Sequence, residues 1–154
     1  DPNDTACRFH LLMIYQRSGR NQEGLEVCRE MIRADPTNAL HQVSLGNFHG
    51  RLQHPAEAEA AFRRANELAP DRPEPCFALA QFYLQGSTHL AEAARLAQRA
   101  VDLAPTAPHY FVLGRALARV ADRPAALTAV QKACELDPGN TQYEKLRTSL
   151  QQAP

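Results

Sequence analysis

No run of about 18 consecutive apolar residues occurs anywhere in the chain, so the sequence offers no transmembrane helix. The opening Asp1-Pro2-Asn3-Asp4 lacks a basic stretch ahead of an apolar run, so no signal peptide is legible. Net charge is missing too. The 17 Lys and Arg residues balance 17 Asp and Glu. Such a chain has no global field to draw it onto nucleic acid or an anionic membrane, and neither is expected as a partner. Lysine is scarce, with only Lys132 and Lys145, and Ala and Pro are abundant, a composition that points to GC-rich, bacterial coding. Cys7, Cys28, Cys76 and Cys134 form no C-x-x-C pair. Packed free thiols are expected, which suits a reducing, cytoplasmic setting, although the sequence leaves a Cys7–Cys28 bridge open.

The signatures of chemistry are equally absent. There is no H-E-x-x-H, no G-x-S-x-G, no phosphate loop and no dinucleotide fingerprint. Six histidines, His10, His41, His49, His54, His89 and His109, form no cluster with metal-ligand spacing. His49 takes a packing position held elsewhere by Tyr15 and Tyr83, so a satisfied, partly buried imidazole is expected there. The others are expected near turns or on solvated faces. Glu57, Glu59 and Glu67 alternate with Arg63 and Arg64, the pattern of a solvated helix face with weak pairs. No catalytic residue, metal or cofactor is expected, and the segment is not read as an enzyme.

What is present is a repeat. Pro2, Pro36, Pro70, Pro105 and Pro138 are spaced 34, 34, 35 and 33 residues apart, and Leu11, Leu45, Leu79 and Leu113 are spaced 34 each. The odd spacing falls near Gly86-Ser87-Thr88, where one residue is added, and the next turn is one shorter. Each period reads as two helices. Leu11, Ile14 and Tyr15 share a face at i, i+3 and i+4, followed by breaks at Ser18-Gly19, Gln53-His54-Pro55, Gly86-Ser87 and Asp122-Arg123-Pro124. Pro55 and Pro124 suit the first turn of a new helix. The second helices carry Gly24, Ala58, Ala93 and Ala126, small residues expected to face the first helix of their own pair. Asp35-Pro36, Ala69-Pro70, Ala104-Pro105 and Asp137-Pro138 close the pairs. The units run 5–38, 39–72, 73–106 and 107–140. Residues 141–151 follow as a capping helix with Tyr143, Leu146 and Leu150 on one side. Asp1-Pro2 stands one period before Asp35-Pro36, where a preceding helix pair would end.

Leu45-Gly46, Leu113-Gly114, Tyr15, Tyr83, Ala58, Ala126, Phe62, Ala65, Ala100, Ala133 and the closing prolines together resemble the tetratricopeptide repeat family. The resemblance covers about residues 5–140. It implies an all-α fold, a right-handed α-solenoid of antiparallel helix pairs with about nine helices, whose concave face, lined by the first helices, binds segments of partner proteins. The chain departs from the pattern at Arg8 and Gln42, where a large aromatic is common, at Leu12, which stands where Gly46 does, and at Gly24. One subclass clamps chaperone C-terminal carboxylates with Lys and Asn. Asn47 matches the asparagine in placement, but Val43 stands where the lysine is expected.

One stripe of each first helix is left over by core packing. It is Phe9, Met13 and Arg17, then Val43, Asn47 and Arg51, then Phe77, Gln81 and Gln85, then Phe111, Arg115 and Arg119. Side by side these give an apolar row, a mostly polar row and a largely cationic row. A peptide groove would use the first for contact area, the amides for backbone hydrogen bonds, and Arg for carboxylates. The expected function is a scaffold or adaptor for a protein segment bearing apolar and acidic groups. The alternatives are a self-association module and a targeting arm of a larger enzyme. A structural alternative is that the phenylalanines pack adjacent units and the arginines only solubilise.

Overall fold

The computed structural model describes residues 5–152. Among them are nine α-helices and no strand: α1 (Thr5–Ser18), α2 (Asn21–Ala34), α3 (Ala39–Arg51), α4 (Pro55–Leu68), α5 (Pro73–Gly86), α6 (Leu90–Leu103), α7 (Ala107–Arg119), α8 (Arg123–Leu136) and α9 (Thr141–Gln152). The Asp1-Pro2 dipeptide, expected to close a preceding pair, lies outside the described residues. The helices gather into two compact units divided after Pro70, with α1–α4 in the first and α5–α9 in the second. In the first unit α1 packs on α2, α2 on α3 and α3 on α4. In the second, α5 to α9 pack in the same consecutive way, and α7 also touches α5 and α9.

The turn inside each pair is built identically from four different residues. The backbone N–H groups of Arg20, His54, Thr88 and Asp122 donate to the carbonyls of Tyr15, His49, Tyr83 and Leu117, each at 3.0 Å. This is the six-to-one bond of a Schellman ending, which requires a left-handed residue just past the helix. Gly19 supplies it with φ 72°, and its counterparts Gln53, Ser87 and Ala121 supply it with φ 59°, 54° and 64°. In the third pair the added residue is His89, itself left-handed with φ 45°, and α6 starts directly after it. The longer spacing is therefore absorbed in the turn, and no helix is distorted.

Within the pairs, volume is exchanged between facing positions. Gly46 of α3 lies against the ring of Phe62 on α4, and Gly114 of α7 lies against Val130 on α8. In the third pair the same two places hold Ala80 and Ala97, both fully buried. In the first pair the order is reversed: large Leu12 and small Cys28 sit together in a core cluster with Leu25, Met31 and Phe48. Leu12, an apparent misfit in the repeat, is thus accommodated by its partner. Each fully buried aliphatic or aromatic side chain is worth roughly 1.5–3 kcal/mol.

Three expectations need correction. Ile14 is not in the core but 58% exposed, because no described helix covers that side of α1; its counterpart Phe48 is buried. Gly24 makes room for the next pair, since a Cβ there would run into the ring of Phe48 on α3. His41 is not near solvent but 3% exposed, with Nδ1 at 3.2 Å from the Asp35 carbonyl and Nε2 unpartnered. His49 is half-buried as expected, yet its Nδ1 is not satisfied. The open Cys7–Cys28 bridge does not form: no disulfide joins the exposed Cys7 or the buried Cys28, Cys76 and Cys134.

Candidate functional site

In the first unit α1 and α3 bring four of the six stripe residues to one pocket of about 100 Å³: Phe9, Met13, Asn47 and Arg51. Leu12 and Phe48 form part of its lining, and Gln16 and Ser44 complete it. The last two were missed by the sequence reading, although both lie one helical turn from a stripe residue. Met13 is 51% exposed. The Asn47 amide is exposed and makes no hydrogen bond to a described residue. Phe9 is half-buried, its ring tilted against His41 at 6.0 Å between centroids. Val43 is half-buried, Arg17 is exposed, and neither lines the pocket.

Arg51 has a structural task that its sequence position does not reveal. Its guanidinium donates to the Gln16 carbonyl at 2.6 Å and to the Asn21 side chain at 3.1 Å. A cation at the carboxyl end of α1 satisfies a carbonyl that the helix leaves unpaired and complements the helix dipole. The arginine therefore fastens α3 to the first pair, and only its remaining donors are available to a ligand.

In the second unit the phenylalanines divide their surface between packing and solvent. Phe77 meets the His109 ring edge-on at 4.8 Å, and Phe111 meets Tyr143 at 4.7 Å. The guanidinium of Arg115 lies 5.8 Å from the centre of the Phe111 ring, a cation–π distance. His109 is held in turn by the Ala104 carbonyl at 2.6 Å. Gln81 is half-buried, while Gln85 and Arg119 are exposed. The packing partners of the row, His41, His109 and Tyr143, lie on their own 34-residue ladder, a signal that was readable in the sequence and not read. The same unit carries a larger open groove of about 840 Å³, between α6 and α8 and floored by Tyr110, Leu113 and Leu117 of α7. The i, i+3, i+7 spacing of those three could have announced it.

No group of three or more His, Cys, Asp or Glu among the described residues could hold a metal ion. Among the same residues no helix is long and apolar enough to cross a membrane. Burial pushes the Cys28 thiol up to about 12, and raises those of Cys76 and Cys134. Buried, protonated thiols are poor nucleophiles. The arrangement is one of apolar contacts, amides and guanidinium groups.

Residues 42–72 match the family model described as Tetratricopeptide repeat. Solved structures carry the same fold over nearly the whole chain: a thermophilic tetratricopeptide protein of Thermus thermophilus superposes with a TM-score of 0.85 at 15% identity, over 98% of this chain and 83% of that one. The chain is a tetratricopeptide-repeat protein. Two further solved structures of this fold are pilF of Pseudomonas aeruginosa and the first tetratricopeptide domain of Spaghetti (RPAP3) bound to the HSP90 peptide SRMEEVD. The first has a TM-score of 0.86 at 16% identity, over 94% of this chain and 66% of that one. The second has 0.71 at 21%, over 77% and 94%. At such identities the likeness shows the fold alone.

Two curated relatives share this tetratricopeptide segment. The Protein O-mannosyl-transferase Tmtc1 of Drosophila melanogaster is 31% identical over 108 residues, 67% of this chain. The Cellulose synthase operon protein C of Pseudomonas fluorescens (strain SBW25) is 30% identical over 102 residues, 66% of this chain. The chain spans only 13% and 8% of the length of these two proteins.

Proposed function

We propose that the chain is a protein-interaction module that takes up an apolar and acidic segment of a partner along the stripes of its first-type helices. The tetratricopeptide fold itself points to protein–protein interaction, and one structural relative is a peptide complex. The observation that carries the reading is the pocket between α1 and α3. At about 100 Å³ it is smaller than the cavity of about 150 Å³ that admits benzene. It therefore has room for an aliphatic side chain. Met13 supplies adaptable contact at its rim, and the Asn47 amide can bond the backbone of a bound segment. Arg17 and Arg119, exposed and with no ion pair among the described residues, can receive carboxylates. Val43 in place of a lysine argues against the carboxylate clamp of chaperone-tail binders.

The test is capture of partners on the immobilised chain, followed by titration of a captured partner against the double variant Met13→Glu with Asn47→Ala. Affinity is expected to fall about ten-fold or more, the cost of one or two interface side chains. Salt should weaken binding only in part, because the apolar contact remains. Unchanged affinity in a variant with native circular dichroism would overturn the reading.

A second reading, a non-catalytic arm of a larger enzyme, is favoured by one observation: a relative of this segment is named a transferase, of which the matched length is a small part. It is compatible with the first, since an arm works by binding. A catalytic domain elsewhere in the complete gene product is its test, and a gene product without one removes it.

A further inference from the structure

We propose that the open groove between α6 and α8 is a second docking surface, one that takes an amphipathic helix of another protein with arginine or lysine at one end. Both wall helices pack on α7, whose Tyr110, Leu113 and Leu117 make the floor. On α7 these three stand on the opposite face from the stripe residues Phe111, Arg115 and Arg119. The groove is therefore separate from the surface already assigned to a partner segment.

The fold does not require an apolar floor at this place. The first unit has the same layout in α2, α3 and α4. There, two periods earlier, Gln42 and His49 stand where Tyr110 and Leu117 do. Arg29 and Arg33 stand where Gln98 and Asp102 do, and Arg63 and Arg64 where Gln131 and Lys132 do. The Arg29 charge is felt at His49, which places it beside that floor. One copy of the layout thus holds together with a polar floor and arginine on both walls. In the other copy Tyr110 and Leu117 are only half-buried. Their apolar surface exceeds what packing needs, and open apolar surface of that kind marks contact with a partner.

Charge says what the partner brings. No arginine lines the groove, and its one cation, Lys132, is engaged by Glu135 at 2.8 Å. Asp102 accepts from the Gln98 amide at 2.8 Å and has no cationic partner among the described residues. Both wall helices end beside these acids, at Leu103 and Leu136, with no basic residue in the last turn. Their unpaired carbonyls add negative potential there, which a cation on the occupant would complement. Leu113 and Leu117 offer neither donor nor acceptor. An extended segment laid on them would leave backbone groups without partners, whereas a helix satisfies its own. Small Ala125 and Ala129 in the α8 wall let such a helix approach closely. The lining spans about 15 Å along α8, or about three turns of the occupant.

The probe is a display library of helical peptides of 14 residues, the length of α6. One face is varied among Ala, Val, Leu, Ile and Met, both ends among Arg, Lys, Gln and Glu, and selection is on the intact chain. Enriched peptides should carry Arg or Lys at one end and gain helical circular dichroism on binding. Asp102→Arg with Leu117→His gives the groove the residues that the first unit carries as Arg33 and His49. This variant should keep the fold and lower the affinity of an enriched peptide about ten-fold or more. Asp102→Arg alone, at an exposed site, should cost about three-fold. Met13→Glu with Asn47→Ala should leave the affinity unchanged, which separates this groove from the pocket between α1 and α3. Failure to enrich any peptide, enrichment of acidic ends, binding without helix formation, or affinity that survives both groove variants would overturn the proposal. So would light scattering in which the wild-type chain is larger than the double groove variant at equal concentration, since the occupant would then be a second copy.

Discussion

Gly46 of α3 lies under the ring of Phe62 on α4, so close that a Cβ on the glycine would stand 2.8 Å from the ring. The glycine is there for contact between helices, not for backbone freedom. Gly46→Leu should destabilise the chain by about 1–3 kcal/mol through overpacking. Combining it with Phe62→Cys recreates the Leu12 and Cys28 arrangement of the first pair and should recover at least about half of the loss. Urea unfolding of the two single variants and the double variant measures the coupling. Strict additivity would show that the two positions do not share one volume.

The left-handed turns give a second expectation. An L-residue with a Cβ in that region costs roughly 1–2 kcal/mol, of which glycine's extra unfolded freedom takes back part. Ala121, with φ 64°, is the clearest case, since its methyl makes no compensating hydrogen bond. Ala121→Gly should raise stability by about 0.5–1 kcal/mol, and Gly19→Ala should lower it by about 1–2 kcal/mol. Thermal unfolding of both variants checks the pair of opposite signs.

Cys28 makes stability depend on alkaline pH. Burial raises its folded-state pKa to about 12, whereas in the unfolded chain a thiol titrates near about 8.5. The neutral thiol is therefore favoured by folding. Its contribution is complete below the unfolded value and is lost as pH rises towards the folded one. Between about pH 9 and 12 the loss approaches about 1.4 kcal/mol per pH unit from this group. Cys76 and Cys134 shift in the same direction, so Cys28→Ala should reduce the slope without abolishing it. Denaturation midpoints across that range would show this.

His49 acts on the acid side. Burial first, with the nearby His54 and Arg29 cations adding to it against Glu57, holds its imidazole below the ordinary value. Folding favours the neutral ring, so its contribution is full above an unfolded pKa of about 6.5 and fades as pH falls below that. His49→Tyr, the residue at the same place in α1 and α5, should flatten the stability profile between about pH 7 and 5. A variant with the wild-type acid slope would place the sensitivity elsewhere.

Helix number and the order of pairs were legible because the 34-residue ladder and its prolines are covalent facts, indifferent to packing. The placements that failed all depend on a neighbour. Ile14 reads as core by analogy with Phe48, but the analogy assumes a covering helix that α1 does not have among the described residues. Gly24 reads as small for the sake of its own pair, and the sequence does not show that Phe48 of the next pair needs the same space. His41 looks like a turn residue until the Asp35 carbonyl and the Phe9 ring close over it. For the candidate site, the spacing identified the stripe but not its division of labour. No sequence pattern tells an arginine that grips a helix end, such as Arg51, from one such as Arg17 that is left in solvent.

The added residue at His89 marks where this chain tolerates a change of length. The bond from Thr88 N–H to the Tyr83 carbonyl closes α5 before the extra residue, and α6 opens after it. A splice at that point alters neither helix, whereas one inside α5 or α6 would rotate every following side chain by about 100° around the axis. The α5–α6 turn is therefore the natural site for a cleavage sequence or a fluorescent label, one that reports on the array without re-phasing it.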